Sequence, residues 1–204
     1  MLVWRDGKVT ETTCVGWRDL QAGLPVQRDT LFRIASMTKP ITSTAALMLF
    51  EEGRFALRDP ITRWAPEFSN MRVLAAPDGP LDQTVPAGRQ ITFEDLLTHR
   101  SGLSYADFHS GPIRKAYEAA LGGSIDSEVV PEDWVARLAR LPLIDQPGAT
   151  FHYGHSTDLL GFLIARIEDA PLEDVLHRRI FAPLGIRRSK RLTRAPRPWS
   201  FSKS

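Results

Sequence analysis

Cysteine is nearly absent. Cys14 is the single one in 204 residues, so the chain has no internal disulfide. The thiol sits in a strand-like stretch, where a small apolar side chain is expected to be buried. No apolar run approaches the roughly 20 residues of a membrane span. The N-terminal segment Met1-Leu-Val-Trp-Arg-Asp-Gly-Lys8 is interrupted at once by charge and a turn, unlike a signal peptide. The location is read as cytoplasmic or unknown. What is present suits a globular domain: 43% hydrophobic, 25% charged and 9% aromatic residues leave room for a real core.

The pI of 8.9 misleads about charge. Seven basic residues and no acidic one fall between Arg187 and Ser204, whereas the 186 residues before them carry 19 basic and 24 acidic, a net charge of −5. A nucleic-acid footprint would have to lie in that tail, and a bare charge run is weak ground for one. The tail has neither helical nor strand periodicity and reads as disordered. The chain therefore divides into residues 1–186 and a basic tail, 187–204.

Local patterns divide the first part further. Asp6-Gly7 suits a two-residue β-hairpin turn between Leu2–Trp4 and Val9–Val15. No further strand is evident nearby. A helix is expected from about residue 37 to Glu52, with Gly53 just past its end and Pro40 tolerated in its first turn. Thr92-Phe-Glu-Asp95 has the form of a capping box, and Ser101-Gly102-Leu103 that of a turn. The stretch 75–90, rich in Pro, Gly and Asp, reads as a loop. Helices are expected at 112–121, 131–140 and about 156–168, the last with Leu159, Leu160, Leu163, Ile164 and Ile167 on one face. Pro171 opens one more.

Ser36-Met-Thr-Lys39 carries the chemistry. A serine hydroxyl is a poor nucleophile at neutral pH and needs a base close by, and a lysine three residues on shares a helical face with it. Spacing alone proves little: with thirteen serines and five lysines a chance copy is expected, and Ser200-Phe-Ser-Lys203 is one, in a segment with no helix to follow. The helix N-terminus favours an alkoxide and disfavours an ammonium, so Lys39 is expected to act as a neutral base. Two other constellations are weaker. Gly102-Leu-Ser104-Tyr-Ala106 nearly matches Gly-x-Ser-x-Gly, but no strand leads into it, so a plain turn is the expectation. His152 and His155 have a metal-ligand spacing with no third ligand to join them, so no metal is expected.

Five segments in order give the chain a family likeness. They are Leu31-Phe-Arg-Ile-Ala-Ser-Met-Thr-Lys39, Glu51-Glu-Gly-Arg54 with Asp59-Pro60, Leu96-Leu-Thr-His-Arg-Ser-Gly-Leu103, Pro147-Gly148 with Tyr153-Gly-His-Ser156, and Ile180-Phe-Ala-Pro-Leu-Gly-Ile186. Together they resemble the serine β-lactamase, penicillin-binding protein and family VIII carboxylesterase superfamily, in its class C-like branch. The resemblance implies Ser36 as the acylated nucleophile, Lys39 as its proton partner and Tyr153 as the residue that relays the proton to the leaving group.

The departures matter as much. His155 stands where the family's Tyr-x-Asn element has an amide that helps hold a β-lactam, so a substrate-binding role at His155 is expected to suit an ester better. The family closes its site with a later strand bearing Lys-Thr-Gly or an equivalent, which supplies the second oxyanion N–H. Residues 187–204 contain no such strand. The implied fold is α/β (α+β) and β-lactamase/transpeptidase-like. It comprises a helical region plus the N-terminal hairpin of an antiparallel sheet, with the remainder of the sheet missing. The implied activity is acyl-enzyme hydrolysis of a small-molecule ester, or less readily an amide, without metal or organic cofactor. The alternative is a truncated, inactive remnant or a binding module. Oligomeric state is not legible.

Overall fold

The computed structural model describes residues 1–122, 127 and 129–186; the basic tail expected at 187–204 lies outside them. The described residues separate into two compact units, Met1–Ser36 and those from Met37 on.

The first unit is two small antiparallel hairpins. Strands β1 (Leu2–Arg5) and β2 (Lys8–Thr12) pair with a register shift between Val3 and Trp4. Asp6 and Gly7 both take positive φ, 50° and 75°, the geometry a two-residue loop requires. A second hairpin, β3 (Trp17–Asp19) with β4 (Leu24–Pro25), is additional to the sequence expectation. Strands of three and two residues are too short to show a period. No residue of this unit is buried. Cys14 is accordingly exposed and lies outside the strands, which corrects the expectation of a buried thiol.

The second unit holds the core. Helix α1 (Thr38–Glu51) follows the 3₁₀ turn Ala35–Met37 and ends at Gly53, whose φ of 70° is the left-handed stop that the sequence announces. Helix α5 (Ser156–Glu168) is the central element: Leu159, Leu160, Leu163, Ile164 and Ile167 are all buried, against α1, α2 (Phe93–Leu97) and α6 (Leu172–Leu176). Helices α3 (Gly111–Leu121) and α4 (Pro131–Leu138) pack on one another and contribute Ile113, Tyr117, Leu121, Val135 and Leu138 to the same core. A π-helical turn, His177–Phe181, follows α6. Its Arg179 ties Glu52 at the end of α1 (2.6 Å) to Glu168 at the end of α5 (2.9 Å).

The stretch expected as a loop at 75–90 contains a strand. Strands β5 (Arg72–Leu74) and β6 (Thr84–Pro86) pair antiparallel, and Leu143 adds a parallel bridge to Val73. Proline is tolerated at Pro86 because it ends the strand. The Leu143 segment also receives the Gly102 loop, since Ile144 N–H donates to the Gly102 carbonyl at 3.0 Å.

Helix α2 has its full capping box: Thr92 Oγ1 accepts from the Asp95 N–H, and Asp95 Oδ2 accepts from the Thr92 N–H at 2.9 Å. Asp95 also takes a two-pronged bond from Arg89, 2.6 and 2.8 Å. Burial alone would raise this carboxyl, but Arg89 and Thr92 outweigh it and hold it below the ordinary range. A lowered folded-state value stabilises above the unfolded pKa of about 3.9, and the contribution is lost as pH falls through the folded value. Asp95→Asn is therefore expected to cost about 2 kcal/mol at pH 7, less than a fully buried pair because Arg89 is half exposed. Urea titrations should show the difference from wild type shrinking below about pH 4. A pH-independent difference would mean that packing, not charge, is lost.

Candidate active site

Ser36 and Lys39 sit at the start of α1, Ser36 in the preceding 3₁₀ turn and Lys39 in the first helical turn. Ser36 is exposed, and Ala35 before it takes φ 43°, a left-handed conformation that costs a non-glycine residue on the order of 1 kcal/mol. Strain of this kind gathers at functional turns.

In the second unit Lys39 is half-buried in an aromatic cluster. Its Nζ donates to Tyr105 Oη at 3.0 Å and lies 4.8 Å from the centroid of the Tyr153 ring. The two phenol rings meet edge-on at 5.8 Å. Burial disfavours the ammonium, yet hydrogen bonds to Tyr105 and Tyr153 and the charge of Asp158 outweigh it, and the lysine is held above its ordinary value. This direction runs against the neutral-lysine base expected from the helix dipole, and one of the two phenols responsible, Tyr105, is not marked by any local pattern.

Tyr105 continues the chain of hydrogen bonds. Its hydroxyl donates to Asp158 Oδ2 at 3.2 Å. Burial and the Asp158 charge push its pKa up to about 12, against the opposing pull of Lys39. Asp158 Oδ2 is also 2.9 Å from His155 Nδ1. His155 itself is buried, with its ring stacked on Tyr117 and edge-on to Tyr105 and Trp134. All three tyrosines of the chain therefore converge here.

Two loops carry the phenols and are fastened together. Ser104 Oγ donates to the Tyr153 carbonyl at 3.2 Å, so this serine, buried and committed, is no nucleophile elbow. Gly154 lies directly on the backbone of Ser104, where a Cβ would overlap Ser104 Cα and its carbonyl carbon and come within 2.9 Å of Tyr105 N. Behind Tyr153, His99 stacks on its ring at 4.9 Å and an angle of 25°. The His99 carbonyl accepts from His152 N–H at 2.7 Å, and burial and Lys39 both hold its ring below the usual imidazole range.

Tyr105, Asp158 and His99 are not nominated by the sequence. A signal for Asp158 is present: it lies three residues from His155 in the first turn of α5, hence on the same face. Nothing local marks Tyr105 or His99. Of the metal candidates, His152 faces Asp145 at 3.4 Å while His155 faces Asp158. Among the described residues no group of three or more His, Cys, Asp or Glu could hold a metal ion. Nor is any described helix long and apolar enough to cross a membrane.

Comparison with known proteins bears on the same features. Residues 1–193 match the family described as Beta-lactamase. Protein Rv1367c of Mycobacterium tuberculosis is 51% identical over 185 residues, covering 91% of this chain and 45% of that protein. Esterase EstB of Burkholderia gladioli is 35% identical over 187 residues, with the same two coverages. Among solved structures, EstCE1, a hydrolase with promiscuous acyltransferase activity, superposes with a TM-score of 0.76 at 30% identity, over 90% of this chain and 45% of its own. The chain thus spans under half the length of these relatives. It belongs to the beta-lactamase family of serine hydrolases, in the branch that includes esterases and acyltransferases, and has that family's mixed α/β, transpeptidase-like fold as a partial domain.

Proposed function

We propose that the chain carries the acylating half of an ester hydrolase, with Ser36 as nucleophile and Lys39 and Tyr153 as its charge and proton partners. The observation that carries the reading is the Lys39 cluster: a lysine ammonium held between two phenols, three residues after a serine in the family's motif. In this step Tyr153 is proposed to react as its phenolate beside the Lys39 ammonium: Ser36 Oγ attacks the ester carbonyl carbon while its proton passes to that phenolate oxygen, leaving a neutral phenol. Collapse of the tetrahedral intermediate breaks the C–O bond, and Tyr153 returns the proton to the departing alcohol. Water then attacks the acyl-serine by the reverse proton route and frees Ser36.

His155 favours an ester over a β-lactam. It stands where relatives of the lactamase kind carry an amide, and its buried ring is turned to Asp158 rather than offering an amide group. A chromogenic short-chain ester is expected to be turned over with a kcat/KM at least about tenfold above that for a chromogenic β-lactam, the scale of a lost polar contact. Preference for the lactam would overturn the ester reading. Absence of turnover for both would favour the non-catalytic alternative.

A further inference from the structure

Resting on the reading of Lys39 as part of an acylation site, we infer that His155 is a positioning residue: its Nδ1–H holds Asp158 Oδ2 where the Tyr105 hydroxyl donates its hydrogen bond to it, leaving the Tyr105 lone pairs for Lys39. The distances run 2.9 Å from His155 to Asp158, 3.2 Å from Tyr105 to the same oxygen and 3.0 Å from Lys39 to Tyr105.

Donor accounting fixes the directions. An ionised carboxylate only accepts, so His155 Nδ1 must carry the proton it shares with Asp158. A phenol has one proton; with that proton donated in the hydrogen bond to Asp158, Tyr105 can only accept from Lys39. Asp158 could not hold this arrangement by itself. Its side chain is 43% exposed, and a carboxylate half in water is free to change rotamer. Nor is it fixed by helix capping, since α5 has no side-chain cap bond at His155. The tether comes from a buried ring, 5% exposed and packed against Tyr117, Trp134 and Tyr105. Filling that space needs only an apolar side chain of similar size. Holding Asp158 needs a donor at the Nδ1 position, which is what distinguishes a positioning role from packing.

Two measurements on the full chain decide it. In ¹⁵N-histidine-labelled protein, with the His155 signal assigned by its loss in His155→Asn, a proton bound to Nδ1 should be visible. It should move downfield in Tyr105→Phe, where the competing donor on Asp158 Oδ2 is gone, and vanish in Asp158→Ala. A signal indifferent to both substitutions overturns the tether. The second measurement is the rate at which a fluorophosphonate labels Ser36. His155→Leu is expected to slow it about tenfold, and His155→Asn, whose amide N–H imitates Nδ1–H, to recover most of the loss. Equal slowing by both would reduce His155 to packing and overturn the proposal. Failure of the wild-type chain to be labelled at all would instead overturn the functional reading, and the NMR result would still decide the tether.

Discussion

Replacing Ser36 with alanine is expected to lower hydrolysis of a chromogenic short-chain ester by on the order of 10⁴-fold or more, because removal of a covalent nucleophile leaves only binding and electrostatic effects behind. Stability should not change appreciably. Ser36 is exposed, so losing one hydroxyl opens no cavity, and an alanine side chain is as compatible as serine with the 3₁₀ turn Ala35–Met37. Circular dichroism and the urea midpoint should therefore match wild type while the rate collapses. Equal rates for the two proteins would place any observed hydrolysis elsewhere, and Ser104 could not replace it, being buried and bonded to the Tyr153 carbonyl.

Gly154→Ala is expected to be nearly as damaging by a different route. The added methyl would overlap Ser104 Cα and its carbonyl carbon, which are backbone atoms and cannot rotate aside. The loops bearing Tyr105 and Tyr153 would have to part, breaking the Ser104–Tyr153 bond and spreading the two phenols around Lys39. Overpacking of this severity costs about 3 kcal/mol. A displacement of about 1 Å at a catalytic group can cost on the order of 10²-fold in rate. Chemical denaturation and ester hydrolysis of the same preparation check both effects. A variant with wild-type stability and rate would show that the two loops are not a fixed unit. The conformation is not the obstacle here, since Gly154 has no positive φ; the crowding is.

Much of the fold is legible in the sequence, and what is not has identifiable causes. The Asp6-Gly7 turn, the Gly53 stop, the Thr92–Asp95 capping box and the apolar face of α5 are local signals, and each appears as read. The second hairpin and the β5–β6 pair escape sequence reading because strands of two and three residues with Pro25 and Pro86 at their ends carry no alternation. Cys14 is misleading because strand-like sequence need not mean a covered strand, and nothing in the first unit is buried.

In the site, Ser36 and Lys39 are nominated by motif and spacing and Tyr153 by the family resemblance, and the structure brings the last two together. The partners that push the Lys39 pKa up come from far along the chain: Tyr105 is 66 residues away. Dipole reasoning on α1 alone leaves them out. His155 is expected from the sequence to bind substrate, but the structure has its ring buried against Tyr117 and Trp134, with Asp158 as its polar partner. A histidine three residues before an aspartate is the only hint of that pairing.

Acylation at Ser36 is tested by treating the full chain with a fluorophosphonate, digesting it and mapping the adduct by mass spectrometry. One phosphonylated serine, Ser36, is expected, with labelling abolished in Ser36→Ala and slowed in Lys39→Met. Labelling at another serine, or none at Ser36 under conditions that label a control esterase, would contradict it.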